Sequence, residues 1–113
     1  MDSISKRRLG ASLPARTNAS RTQEYFLENV RREMAERLWS QAELARAMGV
    51  SPSHVSQLFS RLRNPGLKTV ESVGRIFGMH AVELLMPPDS SAEVKRLVRQ
   101  ALAKADAEAD RIA

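Results

Sequence analysis

From about Thr22 onward, apolar side chains recur at three- and four-residue spacings, the rhythm of amphipathic helices. Phe26, Val30 and Met34 repeat every four residues, with Leu27 and Leu38 beside them, which predicts a first helix over about Thr22–Leu38. Ser20 or Thr22 can cap it. Trp39 follows at the junction and is expected to plug the core beneath the next helix. Ser40 with Glu43 three residues on forms a capping box that opens the second helix. Leu44, Ala45 and Met48 give that helix its apolar face, and Gly49 stops it, being able to take positive φ at little cost. Ser51 is an N-cap with Pro52 at the first helical position, where a missing N–H costs nothing. Val55 and Leu58 supply the buried side of this third helix, while Ser53, His54, Ser56 and Gln57 face elsewhere.

Asn64, Pro65 and Gly66 then mark a loop. A fourth helix is predicted over about Leu67–Phe77, with Leu67, Val70, Val73 and Phe77 as its apolar face and Gly78 at its end. A short fifth helix spans about Ala81–Leu85 with His80 capping or flanking it, and Pro87-Pro88 closes the domain. The last segment, Asp89–Ala113, opens with Ser90 and Glu93 as a second capping box. Val98, Leu102, Ala105, Ala109 and Ile112 there alternate spacings of four and three, the rhythm of a coiled-coil seam. Such a helix either pairs with a second copy, the reading we favour, or folds back on its own domain. Residues 1–21 lack periodicity and contain Gly10 and Pro14; they read as a tail, or as a basic arm led by Lys6, Arg7 and Arg8.

Composition narrows the function. The 113 residues leave room for one small domain with appendages. One Trp, one Tyr and three Phe make the core mainly aliphatic and modest, a setting in which small domains often gain stability by oligomerising. The absence of Cys excludes disulfides and thiolate metal sites and fits a reducing compartment. No apolar run is long enough for a membrane helix, and no export signal is evident. Only two His occur, His54 and His80, well separated; no metal cluster, cofactor motif, phosphate loop or catalytic constellation can be assembled, so an enzyme is not expected.

The net charge of +5 is uneven: +4 lies in residues 1–21, +1 in 22–85 and none in 86–113. No acid occurs between Glu43 and Glu71, whereas Arg46, Arg61, Arg63 and Lys68 all fall in that window. A basic, acid-free stretch around the third helix is what a phosphate backbone requires.

The segment QAELARAMGVSPSHVSQLFS, with small Ala45 at the crossing, Gly49 in the turn and Val55 and Leu58 sealing the pair, resembles the DNA-binding helix-turn-helix. It is similar in particular to the lambda repressor and Cro family of XRE-type regulators. NPGLKTVESVGRIFGMHAVELL resembles the second half of the same domain, so the likeness covers about Thr22–Met86. The resemblance implies an all-α, five-helix lambda-repressor-like domain at 22–86, preceded by the basic arm (1–21) and followed by an extra C-terminal helix (87–113). Two departures stand out. The Gly that usually ends the recognition helix is replaced around Arg61, which requires another geometry or a strained residue. The Arg–Glu pair that commonly ties the first helix to the third is replaced by Met34 and Phe59, expected to touch with the sulfur near the ring.

The resemblance implies a sequence-specific transcriptional regulator, a dimeric repressor at a palindromic operator, in a bacterial or phage-encoded, cytoplasmic setting. Gln41 at the start of the second helix is expected to meet a phosphate. Ser53, His54 and Gln57 are the candidate base readers, with Ser51 and Ser56 in support and Pro52 offering an apolar contact. Gln57 suits the N6 and N7 atoms of adenine. Arg61, Arg63 and Lys68 are expected to position the DNA backbone. The partners implied are double-stranded DNA and a second copy of the chain. Two alternatives remain: the antitoxin of a toxin–antitoxin pair, which would also bind a toxin, and a protein-interaction module that kept the fold but lost DNA binding.

Overall fold

A computed structural model describes residues 20–112; the expected basic arm with Lys6, Arg7 and Arg8 lies outside the described residues. Six helices account for the regular structure among those residues: α1 (Arg21–Arg37), α2 (Gln41–Met48), α3 (Pro52–Phe59), α4 (Leu67–Phe77), α5 (Ala81–Leu85) and α6 (Ala92–Ile112). The described residues are all-α, as the periodicity and the family resemblance imply.

Local signals place most of the boundaries. Ser20 caps α1 through its hydroxyl, which accepts from the Gln23 N–H at 3.1 Å. Ser40 and Glu43 form the expected capping box of α2, the Ser40 N–H donating to Glu43 Oε1 at 2.6 Å. At the end of α1 the chain turns left-handed at Leu38 (φ 57°) without a glycine. That turn sends Trp39 inward and leaves Leu38 in solvent, 88% exposed, so Leu38 does not extend the apolar face as its spacing suggests. Trp39 reaches only the rim of the core, its ring 5.7 Å from that of Phe77 at the end of α4.

The core is built from one stripe of each helix of the domain. Phe26, Leu27, Val30 and Met34 of α1 meet Leu44 and Ala45 of α2, Val55 and Phe59 of α3, Val70, Val73 and Phe77 of α4, and Leu84 of α5. Leu67 is the exception on α4: it is 79% exposed and belongs to the helix start rather than to the buried face. Two features tie α5 in place. The Asn29 amide on α1 donates to the carbonyls of Leu84 and Met86, both at 2.9 Å, satisfying groups that a helix end leaves open. Gly74 lies where a Cβ would come within 2.7 Å of the Met79 carbonyl oxygen, so any side chain there would push α4 off the turn into α5. His80 caps α5: its Nδ1 accepts from the Val82 N–H at 3.2 Å, and Glu83 returns the bond to the His80 N–H at 2.8 Å.

The C-terminal helix starts one residue later than its sequence suggests. Ser91, not Ser90, accepts from the Val94 N–H at 3.1 Å, because Ser90 is occupied closing a turn onto the Pro87 carbonyl at 2.7 Å. No residue of α6 is buried. It leans on α5 and its cap, with Arg99 on Glu83 at 2.7 Å and His80 Nε2 3.5 Å from Asp106, and with Val98 and Leu102 half-buried. Ala105, Ala109 and Ile112 of the seam are exposed.

Met34 and Phe59 are both buried in the common core and line one shallow cleft with Arg31, Trp39 and Gln41. The outer face of the Phe59 ring carries the Arg31 guanidinium, 4.8 Å from its centroid. A charge placed at Phe59 therefore loses packing and gains only one rim partner. Phe59→Glu is expected to destabilise the domain by roughly 3 kcal/mol. Adding Met34→Arg should recover about 1 kcal/mol or more, read as a favourable coupling in a double-mutant cycle of denaturant unfolding.

Candidate nucleic-acid interface

Eight residues of α2 and eight of α3 meet across a turn in which every backbone requirement is met by the residue present. Ala45 is 1% exposed, and its small side chain lets the two helices pack closely. Gly49 takes φ 75°, a conformation costly for other residues, and the next N–H, of Val50, donates back to the Ala45 carbonyl at 3.0 Å. Ser51 then caps α3, its hydroxyl accepting from the His54 N–H at 3.2 Å, with Pro52 at the first position. Val55, Leu58 and Phe59 are buried. Ser51, Pro52, Ser53 and Ser56 are exposed, and His54 and Gln57 are half-buried beside them. The outward face of α3 is thus polar and small, with its longest reach at Gln57.

Around this face the structure separates residues that the sequence groups together. Gln41 stands exposed at the first turn of α2, where the N-terminus of the helix favours an anion. Glu43, in the same turn, is folded back onto the Ser40 N–H, a bond that holds its carboxyl below the usual carboxylate range. Lys68 is exposed in the first turn of α4. Arg63 and Gln57 are brought together: Nε and Nη2 of Arg63 both donate to Gln57 Oε1, at 3.1 and 2.9 Å.

Arg61 has a different position. It takes φ 66°, the left-handed conformation that a glycine would adopt in this turn without cost. Its guanidinium reaches to α1, where Nε donates to Glu24 Oε2 at 2.7 Å and Nη2 to Glu24 Oε1, while Nη1 donates to the Phe59 carbonyl at 2.7 Å. The acid-free window is therefore not acid-free in space, because α1 delivers Glu24 to Arg61. The hydrogen bond from Arg61 holds the Glu24 carboxyl below its ordinary range. Sequence spacing offered no sign of this pair, whose members stand 37 residues apart. Arg31, stacked on Phe59, also escaped the sequence reading; its place three residues before Met34, on the same helix face, is the one available hint.

Among the described residues no group of three or more His, Asp or Glu side chains is placed to hold a metal ion, and no helix is long and apolar enough to cross a membrane. A close-packed helix pair with a polar outer face and flanking cations is a helix-turn-helix, the fold that many DNA-binding transcriptional regulators share. Comparison with known proteins agrees. The helix-turn-helix family model matches residues 30–84. A hypothetical transcription factor of Neisseria meningitidis is 38% identical over 50 residues, 44% of this chain and 47% of that protein, so the match spans about half of the relative. The crystal structure of the hypothetical transcription factor NHTF from Neisseria superposes with a TM-score of 0.58 at 30% identity, over 76% of this chain and 97% of that one. A chain of the SinR/SinI complex matches with a TM-score of 0.50 at 26% identity, over 70% and 80%. The SOS-response repressor LexA from Eubacterium rectale shares the fold, with a TM-score of 0.58 at 20% identity over 66% and 80%. The protein belongs to the helix-turn-helix family.

The turn at Arg61 yields a paired test. Arg61→Gly removes the ion pair but also the left-handed strain, and should leave stability within about 0.5 kcal/mol of the parent. Arg61→Ala removes the pair and keeps the strain, and should cost about 1 kcal/mol more than Arg61→Gly in denaturant unfolding. The pH dependence has a definite sign. Glu24 titrates lower in the folded chain than in the unfolded one, so its contribution is complete above about pH 4.3 and fades as pH falls through the lowered folded value. Glu24→Gln should flatten that acid limb.

Proposed function

We propose that this protein is a sequence-specific transcriptional regulator that binds a palindromic operator as a homodimer, with α3 as the recognition helix. The observation that carries this reading is the two-sided build of α3, buried through Val55, Leu58 and Phe59 and polar through Ser53, His54, Ser56 and Gln57. A helix so mounted can enter the major groove with its first turns against base edges. Ser53, His54 and Gln57 face the bases in this reading, Ser51 and Ser56 support them, and Pro52 meets an apolar edge such as a thymine methyl. Gln41 and Lys68 meet phosphates, as does Arg63 with the donors it does not spend on Gln57. Arg61 contributes from behind the turn, since its guanidinium is engaged by Glu24.

The homodimer rests on the α6 seam. Ala105, Ala109 and Ile112 offer a second copy a narrow apolar stripe, and two copies related by a two-fold axis would set their α3 helices about 34 Å apart in successive grooves. The solved SinR/SinI complex joins two proteins, which supports a second reading in which this chain also assembles with another protein.

Two experiments test the proposal. Gln57→Ala should cost roughly 1–3 kcal/mol on the preferred operator and leave binding to random DNA unchanged. Lys68→Ala should instead weaken all sequences alike and lower the slope of log affinity against log salt by about one. Equal losses on operator and random DNA for Gln57→Ala would remove it from the base-reading set. Deleting residues from Ser90 onward should leave the domain folded and shift sedimentation from dimer to monomer, with loss of cooperative operator binding. An undiminished dimer after that deletion would place the interface elsewhere.

A further inference from the structure

Gln57 stands at the centre of the turn that follows the recognition helix. Its backbone carbonyl accepts from the N–H groups of Leu62 and Arg63, at 2.9 and 3.2 Å, and from the Ser60 hydroxyl at 3.3 Å. These bonds fold the chain back so that Arg63, six residues on, lies against the Gln57 side chain. Its Nε and Nη2 both donate to Gln57 Oε1, at 3.1 and 2.9 Å. Guanidinium has donors and no acceptor, so the amide atom that faces it must be the oxygen. Both acceptor positions of that oxygen are used, and the Gln57 NH2 group is left as a pure donor.

This changes what the pair can read. A glutamine recognises adenine in bidentate fashion by accepting from N6–H and donating to N7, and the acceptor half of that contact is spent here on Arg63. The donors that remain, from the Gln57 amide and the unspent N–H groups of Arg63, match an edge that carries acceptors only. In the major groove guanine offers two adjacent acceptors, O6 and N7, whereas thymine offers one, O4, beside its methyl group, and adenine and cytosine each present an amino donor. We infer that Arg63 is a specificity-determining positioning residue that holds Gln57 as a donor, so that the pair selects guanine rather than adenine at one base pair of each half-site. This rests on the DNA-reading role of α3 proposed above. It replaces the adenine preference and the purely backbone role that the sequence suggests for Gln57 and Arg63.

The test is selection of bound duplexes from random DNA by the full chain and by two exposed-site variants, with thermal unfolding as the folding control. Gln57→Ala identifies the base pair concerned as the one whose preference disappears. The parent should select G·C there. Arg63→Ala, which returns the amide oxygen to solvent, should move the same position toward A·T, changing the ratio of the two by roughly tenfold or more while other positions hold. A uniform loss of affinity with the G·C preference intact would show Arg63 to be a phosphate contact only, and would overturn the inference. A·T at that position in the parent, or no position altered by Gln57→Ala, would overturn it as well. A parent chain that enriches no sequence would instead sink the DNA-reading proposal on which the inference stands.

Discussion

An eight-residue helix has no stable existence of its own in water, so α3 holds its shape and angle only through what it packs against and what fixes its ends. Its inner side is set by Val55 and Phe59 in a core shared with α1, α2, α4 and α5, and Leu58 is buried as well. Its first end is set by Gly49 and Ser51, which turn the chain and cap the open N–H groups. The second end is fixed without a glycine: Arg61 takes the left-handed conformation, and its guanidinium is clamped by Glu24 on α1. The strain of a side chain at positive φ and the gain of a bidentate carboxylate contact fall on one residue. The end of α3 is thereby tied to the longest helix of the domain.

The same clamp redistributes charge. Relatives commonly join α1 to α3 by an Arg–Glu pair, whose places here hold Met34 and Phe59. In this chain an ion pair again joins α1 to the end of α3, but with the charges exchanged, the acid Glu24 lying on α1 and the base Arg61 in the turn just past α3. Met34 and Phe59 can then be apolar, filling the core where a buried ion pair would have to offset the cost of desolvation. Arg31 keeps a positive charge at the old location by stacking on Phe59.

How much of this was legible in the sequence follows the range of the interaction. Ser40 with Glu43, Gly49, Ser51 with Pro52, and Gly78 are signals that act within four residues, and each stands where its local chemistry places it. The fold followed from these signals together with the family resemblance. Errors came where two local options compete or where a distant partner decides. Ser90 and Ser91 can each cap a helix, and the turn at Pro87 takes the first. Leu38 and Leu67 have core-like spacing, yet one sits at a left-handed turn and the other at a helix start, and both face water. Asn29 on the α5 carbonyls, Gly74 against Met79 and Glu24 on Arg61 depend on tertiary approach, which periodicity does not encode. For the candidate site the consequence is specific. The polar residues on the outer face of α3 were legible in the sequence, but the different directions taken by Arg61 and Arg63 were not.

Those two arginines separate because one turn serves both. With Arg61 left-handed and held by α1, the next N–H groups fold back onto the Gln57 carbonyl, and Arg63 is delivered to the Gln57 side chain. The chain thus runs from a structural contact, Glu24 with Arg61, through a backbone conformation, to the hydrogen-bonding character of a residue on the outer face of α3. Each link is a short-range interaction with its own donor and acceptor. In an isolated eight-residue helix Gln57 would rotate freely and present donor and acceptor alike. Fixing the end of the helix therefore also narrows what Gln57 can present: the same turn that holds α3 at its angle restricts the chemistry at its most extended side chain.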